Sequence, residues 1–328
     1  MKSITRLLLL LSALGIFWVA LPQDCPAALV WRKGEGWNWE REGMALANNP
    51  KEQLDIARKL QEQKKYSVAV TAYRRVIVRW PTSFSTQEAR LGLAQCLAQL
   101  NYLLKASKEY QNLIEKHPNS PYFETALQAQ YDLGCRFLNG EKHKVWGLHI
   151  FNGLEKSVEV FEQVIKNGPY SKLGPAAQFR IGLTYEKEKD NIAAVHAYEK
   201  LLERYPKDPL AEDAQFQIGW AYKAEAQRAE YDQNNANQAI AAFNDFLIRY
   251  PTSPKADQAK TWRAELKQEQ SKGLFQVAHF YEKNKNYRAA LVYYNEILAQ
   301  NPRSDWANQA QRKLVLLAPL AKLQPPPK

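Results

Sequence analysis

The chain has 328 residues, 45% of them apolar and 12% aromatic, which excludes a disordered protein, and its 14 glycines and 17 prolines are too few for a fibrous or low-complexity one. The formal charge is +11, but basic and acidic residues alternate along the chain. This pattern favours a solvated surface with a basic bias over a nucleic-acid-binding tract. The length exceeds one ordinary domain unless the chain is built from repeats.

The N-terminal segment, residues 1–28, has the pattern of an export signal. Two basic residues precede an apolar stretch from Leu7 to Leu21, which ends at Pro22. A membrane-spanning helix needs roughly 20 apolar residues, and this stretch is shorter. Small residues follow at positions 27 and 28. The sequence therefore predicts a signal peptide over residues 1–28 and export of the rest to a periplasm or outside the cell.

A tryptophan-rich arm is predicted to follow over residues 29–50. Trp31, Trp37 and Trp39 lie close together there, and no helical period links them. Exposed tryptophans on a flexible arm favour association. Two alternatives stay open: the rings pack on the structure that follows, or they are buried by a partner or an interfacial lipid layer.

Six proline-containing phrases then recur along the chain and predict an internal repeat. The prolines are Pro81, Pro118, Pro169, Pro206, Pro251 and Pro302. Each follows a helical pattern, and a proline cannot continue a helix. The serine or threonine just after the proline can cap the helix that follows.

Residue types at fixed distances before each proline identify the repeat as tetratricopeptide-like. Twelve positions before stand the small residues Ala69, Ala106, Ser157, Ala194, Ala239 and Ala290. Eight positions before stand the aromatic residues Tyr73, Tyr110, Phe161, Tyr198, Phe243 and Tyr294. Five positions before stand the apolar residues Val76, Leu113, Val164, Leu201, Phe246 and Ile297. Small residues let two helices approach closely, and the aromatic ring fills the wedge between them.

The predicted fold is therefore all-α: a tetratricopeptide-repeat superhelical solenoid of about six helix pairs with a C-terminal capping helix, over residues 51–318. Insertions are expected within 138–154 and 229–238, and the segment 255–273 is expected to lengthen the first helix of the last pair. Residues 319–328 are predicted to be a disordered tail.

No motif in the sequence predicts catalysis. It has no zinc-protease, serine-hydrolase or phosphate-loop signature, so we expect no catalytic residue, no cofactor and no metal site. His143 and His149 share one insertion, but no cysteine or carboxylate pair accompanies them. Cys96 and Cys135 lie in apolar helical contexts and are predicted to be buried thiols, with a disulfide as the alternative.

The C-terminal repeats carry a resemblance to a known family. The segments are AFNDFLIRYPTSPKADQAKTWRAEL (242–266) and VAHFYEKNKNYRAALVYYNEILAQNPRSDWANQA (277–310). A proline-ended repeat, a long helix and a last repeat of this form resemble the BamD family of tetratricopeptide outer-membrane lipoproteins. The resemblance implies a non-catalytic periplasmic scaffold, associated with the outer membrane, in the machinery that assembles outer-membrane β-barrel proteins.

The resemblance also implies two binding surfaces and their partners. N-terminal repeats would bind unfolded barrel substrates, and candidate groove residues are Arg58, Gln61, Gln95 and Tyr131. C-terminal repeats would dock on the barrel-forming assembly subunit, and candidates are Arg249, Arg263 and Tyr287. Nucleic acid is not an expected partner.

Two other functions compete with this interpretation. A periplasmic tetratricopeptide adaptor of the Tol-Pal or cell-division coordinator type has the same repeats, but such proteins often carry a coiled coil before them, and this chain has only a short tryptophan-rich segment there. An exported enzyme with a repeat dock needs a catalytic module, and no span remains for one.

Cys25 is the candidate for lipidation, and its surroundings depart from the family pattern. A lipid-attachment site has a small residue directly before the cysteine and leucine or a similar residue three before it. Here the preceding residues are Pro22, Gln23 and Asp24. These departures favour a protein that is not lipidated and is held at the membrane by partners or by the tryptophan-rich arm. Lipidation at Cys25 remains the open alternative.

Overall fold

The described part of the protein is helical with two short hairpins. A computed structural model describes residues 27–32, 36–41, 47–145, 148–151, 153–228 and 233–322. Residues 1–26 of the predicted signal peptide, Cys25 among them, lie outside these residues. Contacts divide the chain into two compact units, Met1–Leu100 and Asn101–Lys328, which are described in turn.

The described residues of the first unit form one hairpin and three helices. Strands β1 (Ala27–Arg32) and β2 (Gly36–Arg41) pair antiparallel, with Trp31 opposite Trp37. The segment predicted as an arm thus holds regular structure that was not predicted, and β1 includes the last two residues of the predicted leader, Ala27 and Ala28. The helices are α1 (Pro50–Glu62), α2 (Tyr66–Arg79) and α3 (Ser85–Gln99).

Local signals define α1. The Asn49 side chain accepts a hydrogen bond from the Glu52 amide at 2.9 Å, and Pro50 occupies the first helical position. The three helices pack on one another, and small residues such as Ala57 and Ala69 at the contacts are fully buried.

Among the residues of the second unit that the structure describes, ten helices form, and each packs on the next. Its hairpin, β3 (His143–Val145) and β4 (Leu148–Phe151), lies in the predicted insertion between α5 and α6. The helices are α4 (Leu103–Lys116), α5 (Phe123–Leu138), α6 (Leu154–Asn167), α7 (Leu173–Glu188), α8 (Asn191–Arg204), α9 (Leu210–Arg228), α10 (Gln233–Arg249), α11 (Ala256–Lys283), α12 (Tyr287–Gln300) and α13 (Asp305–Lys322).

The repeat positions form the core. All six small, six aromatic and six apolar residues at the predicted distances before the prolines are at most 3% exposed. Burial of an apolar side chain of this size stabilises a protein by about 1.5–3 kcal/mol. The all-α tetratricopeptide solenoid predicted from the sequence is therefore confirmed.

The turn after each proline is built by the polar residue two positions on. In five turns its side-chain oxygen accepts the amide of the residue two further along, and in the sixth Ser304 accepts the Ala307 amide at 3.0 Å. The residues are Ser83, Ser120, Ser171, Asp208, Ser253 and Ser304. Capping of the next helix is confirmed at Ser304, which accepts the amide three residues on. It is wrong for α3, α5, α7 and α11, whose N-cap lies one or two residues after the serine and makes no side-chain cap hydrogen bond, so those serines stabilise the turn instead.

Helix α11 has 28 residues and is shared by two repeats. Ala259 and Leu266 in its first half pack with Phe243 of the fifth repeat. Leu274 in its second half packs with Tyr294 of the sixth. The lengthened helix predicted for this region is thus one continuous helix that passes through Gly273.

The C-terminal boundary differs from the prediction. Helix α13 continues to Lys322, so the prediction of a disordered tail is wrong for residues 319–322. The reason is packing, because Ala321 is 6% exposed and its carbonyl accepts a hydrogen bond from Arg288 Nε at 3.3 Å.

Both cysteines within the described residues are free thiols. Cys96 is buried, as predicted, and burial raises its pKa to about 12. Cys135 is only half-buried, which corrects the prediction of full burial. It lies beside the hydroxyl of Tyr131, and burial again raises its pKa.

Candidate functional site

Two of the predicted groove residues meet directly in the first unit. Gln61 on α1 donates from Nε2 to Gln95 Oε1 on α3 at 3.0 Å, and its Oε1 accepts the hydroxyl of Tyr73 at 2.5 Å. Gln95 Nε2 has no hydrogen-bond partner among the described residues. The pair is half-buried, so it presents amide groups at a surface that water still reaches.

Arg58 extends this polar surface. Its Nε donates to Glu88 Oε1 on α3 at 2.6 Å, and its Nη1 lies 3.0 Å from Asp55 Oδ1 on its own helix. The side chain is 44% exposed. The guanidinium is therefore held by two carboxylates beside the glutamine pair, within one unit.

Tyr131 belongs to the second unit. Its ring lies 5.5 Å from that of Phe161, and Arg180 Nε donates to its hydroxyl at 3.3 Å. Burial raises the pKa of Tyr131. These contacts fix the half-buried ring on α5.

The three predicted docking residues differ in how they are held. Arg249, at the end of α10, is exposed and makes no hydrogen bond or ion pair with the described residues. Arg263 donates from Nη1 to Asn244 Oδ1 at 2.8 Å. Tyr287, the first residue of α12, packs against the core cluster of the last repeat. Arg249 is thus the most available of the three for a partner.

A groove of about 580 Å³ lies between α9, α10 and α11. Lys223 crosses it, with Nζ 5.1 Å from the centre of the Trp262 ring and 3.9 Å from Glu265. Leu266 and Val277 supply apolar surface, and Gln270 donates to Asn237 at 2.7 Å. The groove suits a segment with both apolar and polar side chains.

A half-buried carboxylate in the fourth repeat was not predicted. Glu186 Oε1 accepts the hydroxyl of Tyr198 at 2.8 Å, and Gln217 Nε2 lies 3.4 Å from its Oε2. Burial raises the pKa of Glu186 to about 7, although the hydrogen bond from Tyr198 opposes the shift. The sequence does contain a signal for this contact, because Glu186 stands twelve residues before Tyr198, the aromatic residue of the fourth repeat.

The sixth repeat has the same arrangement with a different outcome. Tyr294 donates to Glu282 Oε2 at 2.8 Å, and Lys313 Nζ donates to Glu282 Oε1 at 2.8 Å. Burial opposes ionisation of Glu282, but hydrogen bonds from Lys313, Tyr294 and His279 outweigh it and lower the pKa. Gln217 and Lys313 each stand 31 residues after their glutamate, so a lysine in the place of a glutamine is one difference between the two sites.

The described residues contain neither a membrane-spanning helix nor a metal-binding cluster. None of their helices has the length and apolar content needed to cross a membrane. No cluster of three or more histidine, cysteine, aspartate or glutamate side chains there is arranged to hold a metal ion. His143 and His149 lie on opposite strands of the second hairpin.

Solved structures of repeat proteins are similar to the chain at low identity. They include MamA protein (20% identity, 63% of this chain and 94% of that chain covered, TM-score 0.35). The C-terminal part of a tetratricopeptide repeat-containing protein of Cytophaga hutchinsonii is 17% identical, with 81% of this chain and 88% of that chain covered and a TM-score of 0.37. A tetratricopeptide repeat protein of Parabacteroides merdae is 10% identical, with 82% of this chain and 98% of that chain covered and a TM-score of 0.34. A search among curated proteins found no matching sequence.

Two family profiles match the sequence. A tetratricopeptide repeat profile covers residues 54–121, the first two helix pairs and the turn after them. The profile of the outer membrane lipoprotein family YfiO covers residues 152–318, which is half of the chain and includes Glu186, Arg249, Arg263 and Tyr287. The chain therefore belongs to the YfiO family of outer membrane lipoproteins, to which BamD belongs.

Proposed function

We propose that this protein is a non-catalytic periplasmic scaffold of outer-membrane β-barrel assembly. The observation that carries the proposal is the YfiO family match, which extends from α6 to α13. It covers the two segments that resemble the BamD family, residues 242–266 and 277–310. Tetratricopeptide stacks supply extended binding surfaces and act through protein–protein contacts, which fits a scaffold. The same match supports a location in the periplasm at the outer membrane.

The first unit is proposed to hold an unfolded barrel substrate. An unpaired strand presents backbone N–H and C=O groups, and side-chain amides can pair with both kinds. The Gln61–Gln95 pair offers a donor at Gln95 Nε2, and Arg58 adds a half-exposed cation next to it. Amide readout of backbone groups would suit partners of many sequences.

Substitution of Gln95 tests this surface. We expect Gln95→Leu to weaken binding of a peptide copied from the C-terminal strand of a barrel protein by roughly fivefold, because one hydrogen bond contributes about 1 kcal/mol. Fluorescence anisotropy with a labelled peptide measures the change. Gln99→Leu, at an exposed position one turn further along α3, is the matched control. Equal affinity of the two variants would remove Gln95 from the binding surface.

The C-terminal repeats are proposed to dock on the barrel-forming subunit. Arg249 is exposed at the end of α10, and Arg263 and Tyr287 lie on the two helices that follow α10. The groove between α9, α10 and α11 offers apolar surface on two of these helices, α10 and α11. Arginine and apolar surface are both typical of protein–protein interfaces, so an exposed arginine and a groove on adjoining helices support a docking surface.

Recovery of partners from the envelope tests the docking proposal. We expect affinity purification of the tagged protein from detergent-solubilised envelopes, followed by mass spectrometry, to recover the barrel-assembly subunit. Arg249→Glu should reduce that recovery about tenfold, because the new negative charge would be repelled by the partner group that attracts the positive charge of the arginine. Lys207→Glu, an exposed change in the turn before α9, serves as the control.

Two results would contradict the proposal. Recovery of peptidoglycan-linked Tol-Pal components without the assembly subunit would favour the adaptor function instead. Equal recovery by Arg249→Glu and Lys207→Glu would keep the function but exclude Arg249 from the docking surface.

A further inference from the structure

The outer face of the last helix is unusually apolar for the end of a repeat array. In α13, Val315 is 67% exposed, Leu316 65% and Leu320 41%. Ala318 and Pro319 between them are also exposed. Terminal repeats normally present a polar outer face, which keeps the array soluble. Five apolar residues within two helical turns therefore point to a surface that something covers.

These residues are distinct from those that pack α13 onto the repeats. The packing side consists of Ala307, Ala310, Leu317 and Ala321, each at most 6% exposed. The exposed leucines and valine lie away from that side, so they contribute nothing to the core of the last repeat. Both faces of the last two turns are apolar, and only one is used inside the molecule.

The charge around this face is positive. After Asp305, α13 has no acidic residue and carries Arg312, Lys313 and Lys322. Of these, Arg312 and Lys322 are exposed, one on either side of the apolar segment. The face therefore combines apolar side chains with flanking cations.

The turn next to α13 adds more cations. Arg288 Nε lies 3.3 Å from the carbonyl of Ala321, and Lys313 Nζ lies 2.8 Å from Glu282 Oε1. These contacts place the α11–α12 turn against the second half of α13. Lys283 and Lys285 in that turn are both exposed. The positive charge thus extends from α13 across the end of the last repeat.

A second copy of the chain is a poor occupant for this face. Antiparallel pairing of two α13 helices about the apolar segment brings Arg312 of one copy close to Lys322 of the other. Parallel pairing brings each cation close to its own equivalent. Like charges facing each other across an interface disfavour association, so the complementary occupant is anionic.

We propose that the outer face of α13 binds an anionic lipid surface as an interfacial helix. Val315, Leu316 and Leu320 would enter the boundary between headgroups and acyl chains, and Arg312 and Lys322 would contact the anionic headgroups. Pro319 has no N–H, so the carbonyl of Val315 lacks its helical donor and needs water. The helix therefore lies in the hydrated interface, parallel to the membrane.

Vesicle co-sedimentation of the full chain tests the proposal. The probes are vesicles of phosphatidylethanolamine with phosphatidylglycerol and vesicles of phosphatidylcholine alone. We expect roughly tenfold tighter binding to the anionic vesicles at low salt, and a decline as salt is raised. Any contribution of the N-terminal residues is common to all variants and does not affect their comparison.

Two double variants separate this face from general surface hydrophobicity. Leu316→Glu/Leu320→Glu should weaken binding to anionic vesicles about tenfold or more, since it removes two apolar contacts and adds negative charge. Val78→Glu/Ile248→Glu is the matched control, because Val78 and Ile248 are 79% and 77% exposed on other helices and the change in charge is identical. The control should bind as the unmodified protein does.

Three outcomes would overturn the proposal. The first is equal binding of the two double variants to anionic vesicles, and the second is equal binding of the unmodified protein to both vesicle types. The third is a change from dimer to monomer in Leu316→Glu/Leu320→Glu with vesicle binding unchanged, which would make the face a self-association surface. The vesicles contain no protein, so the result is independent of any role in barrel assembly.

Discussion

Replacement of Gly182 by alanine is expected to lower the free energy of unfolding by about 3 kcal/mol, the effect of overpacking together with a lost hydrogen bond. An added Cβ would lie 2.5 Å from Cζ of Tyr198 and closer still to Cε1. Tyr198 is fully buried and cannot move aside without giving up its bond to Glu186. Alanine is the better helix former, so a destabilised variant would show that packing decides the outcome.

A double-mutant cycle provides the control for Gly182. In the background of Tyr198→Leu the ring is absent, and Gly182→Ala should cost far less or become neutral. Chemical denaturation followed by circular dichroism measures all four free energies. Additive effects of the two substitutions would show that the ring is not what excludes the methyl group.

The stability of the protein is expected to decrease between pH 5 and pH 8 by on the order of 2 kcal/mol through Glu186 alone, allowing for its partial contact with solvent. Burial raises the pKa of the folded carboxyl to about 7, against an ordinary value of 4.5. Between these values the folded state binds more protons than the unfolded state. Its stabilising contribution is therefore complete below the ordinary pKa and is lost as pH rises through 7.

Glu186→Gln keeps an acceptor for Tyr198 and removes the titration. Its free energy of unfolding should exceed that of the unmodified protein at pH 8 and match it more closely at pH 5. Gln217→Lys supplies the cation that Lys313 supplies to Glu282 in the last repeat, so it should lower the pKa of Glu186 and reduce the pH dependence. Identical pH profiles for the unmodified protein and Glu186→Gln would contradict the raised pKa.

The repeats were predictable because each position depends on a residue type rather than on a particular partner. A small residue such as Ala194, an aromatic such as Tyr198 and a proline after the helix recur in register, and each has a local physical reason. The hydrogen bonds of the turn serines are local as well, since Ser171 accepts the amide of Leu173, two residues further along. Long α11 followed from the lack of a helix breaker before Gly273.

Features that depend on tertiary contacts were not predictable from these patterns. For the hairpin of β3 and β4, the sequence pattern predicted only that an insertion is present within residues 138–154. The raised pKa of Glu186 requires knowing that Gln217, and not a lysine, reaches it from the next repeat. The Gln61–Gln95 bond joins two residues that were selected separately, and only the packing of α1 against α3 brings them together.

The shared helix α11 also bears on how the protein unfolds. In most repeat arrays, neighbouring units are joined by loops, and an end unit can open while the rest stays folded. Here α11 supplies part of the fifth repeat's core through Leu266 and part of the sixth's through Leu274, with no break between them. Opening one repeat therefore also exposes core residues of the other, so the last two repeats form one cooperative folding unit. Amides of α10 and α12 should therefore exchange their hydrogens together.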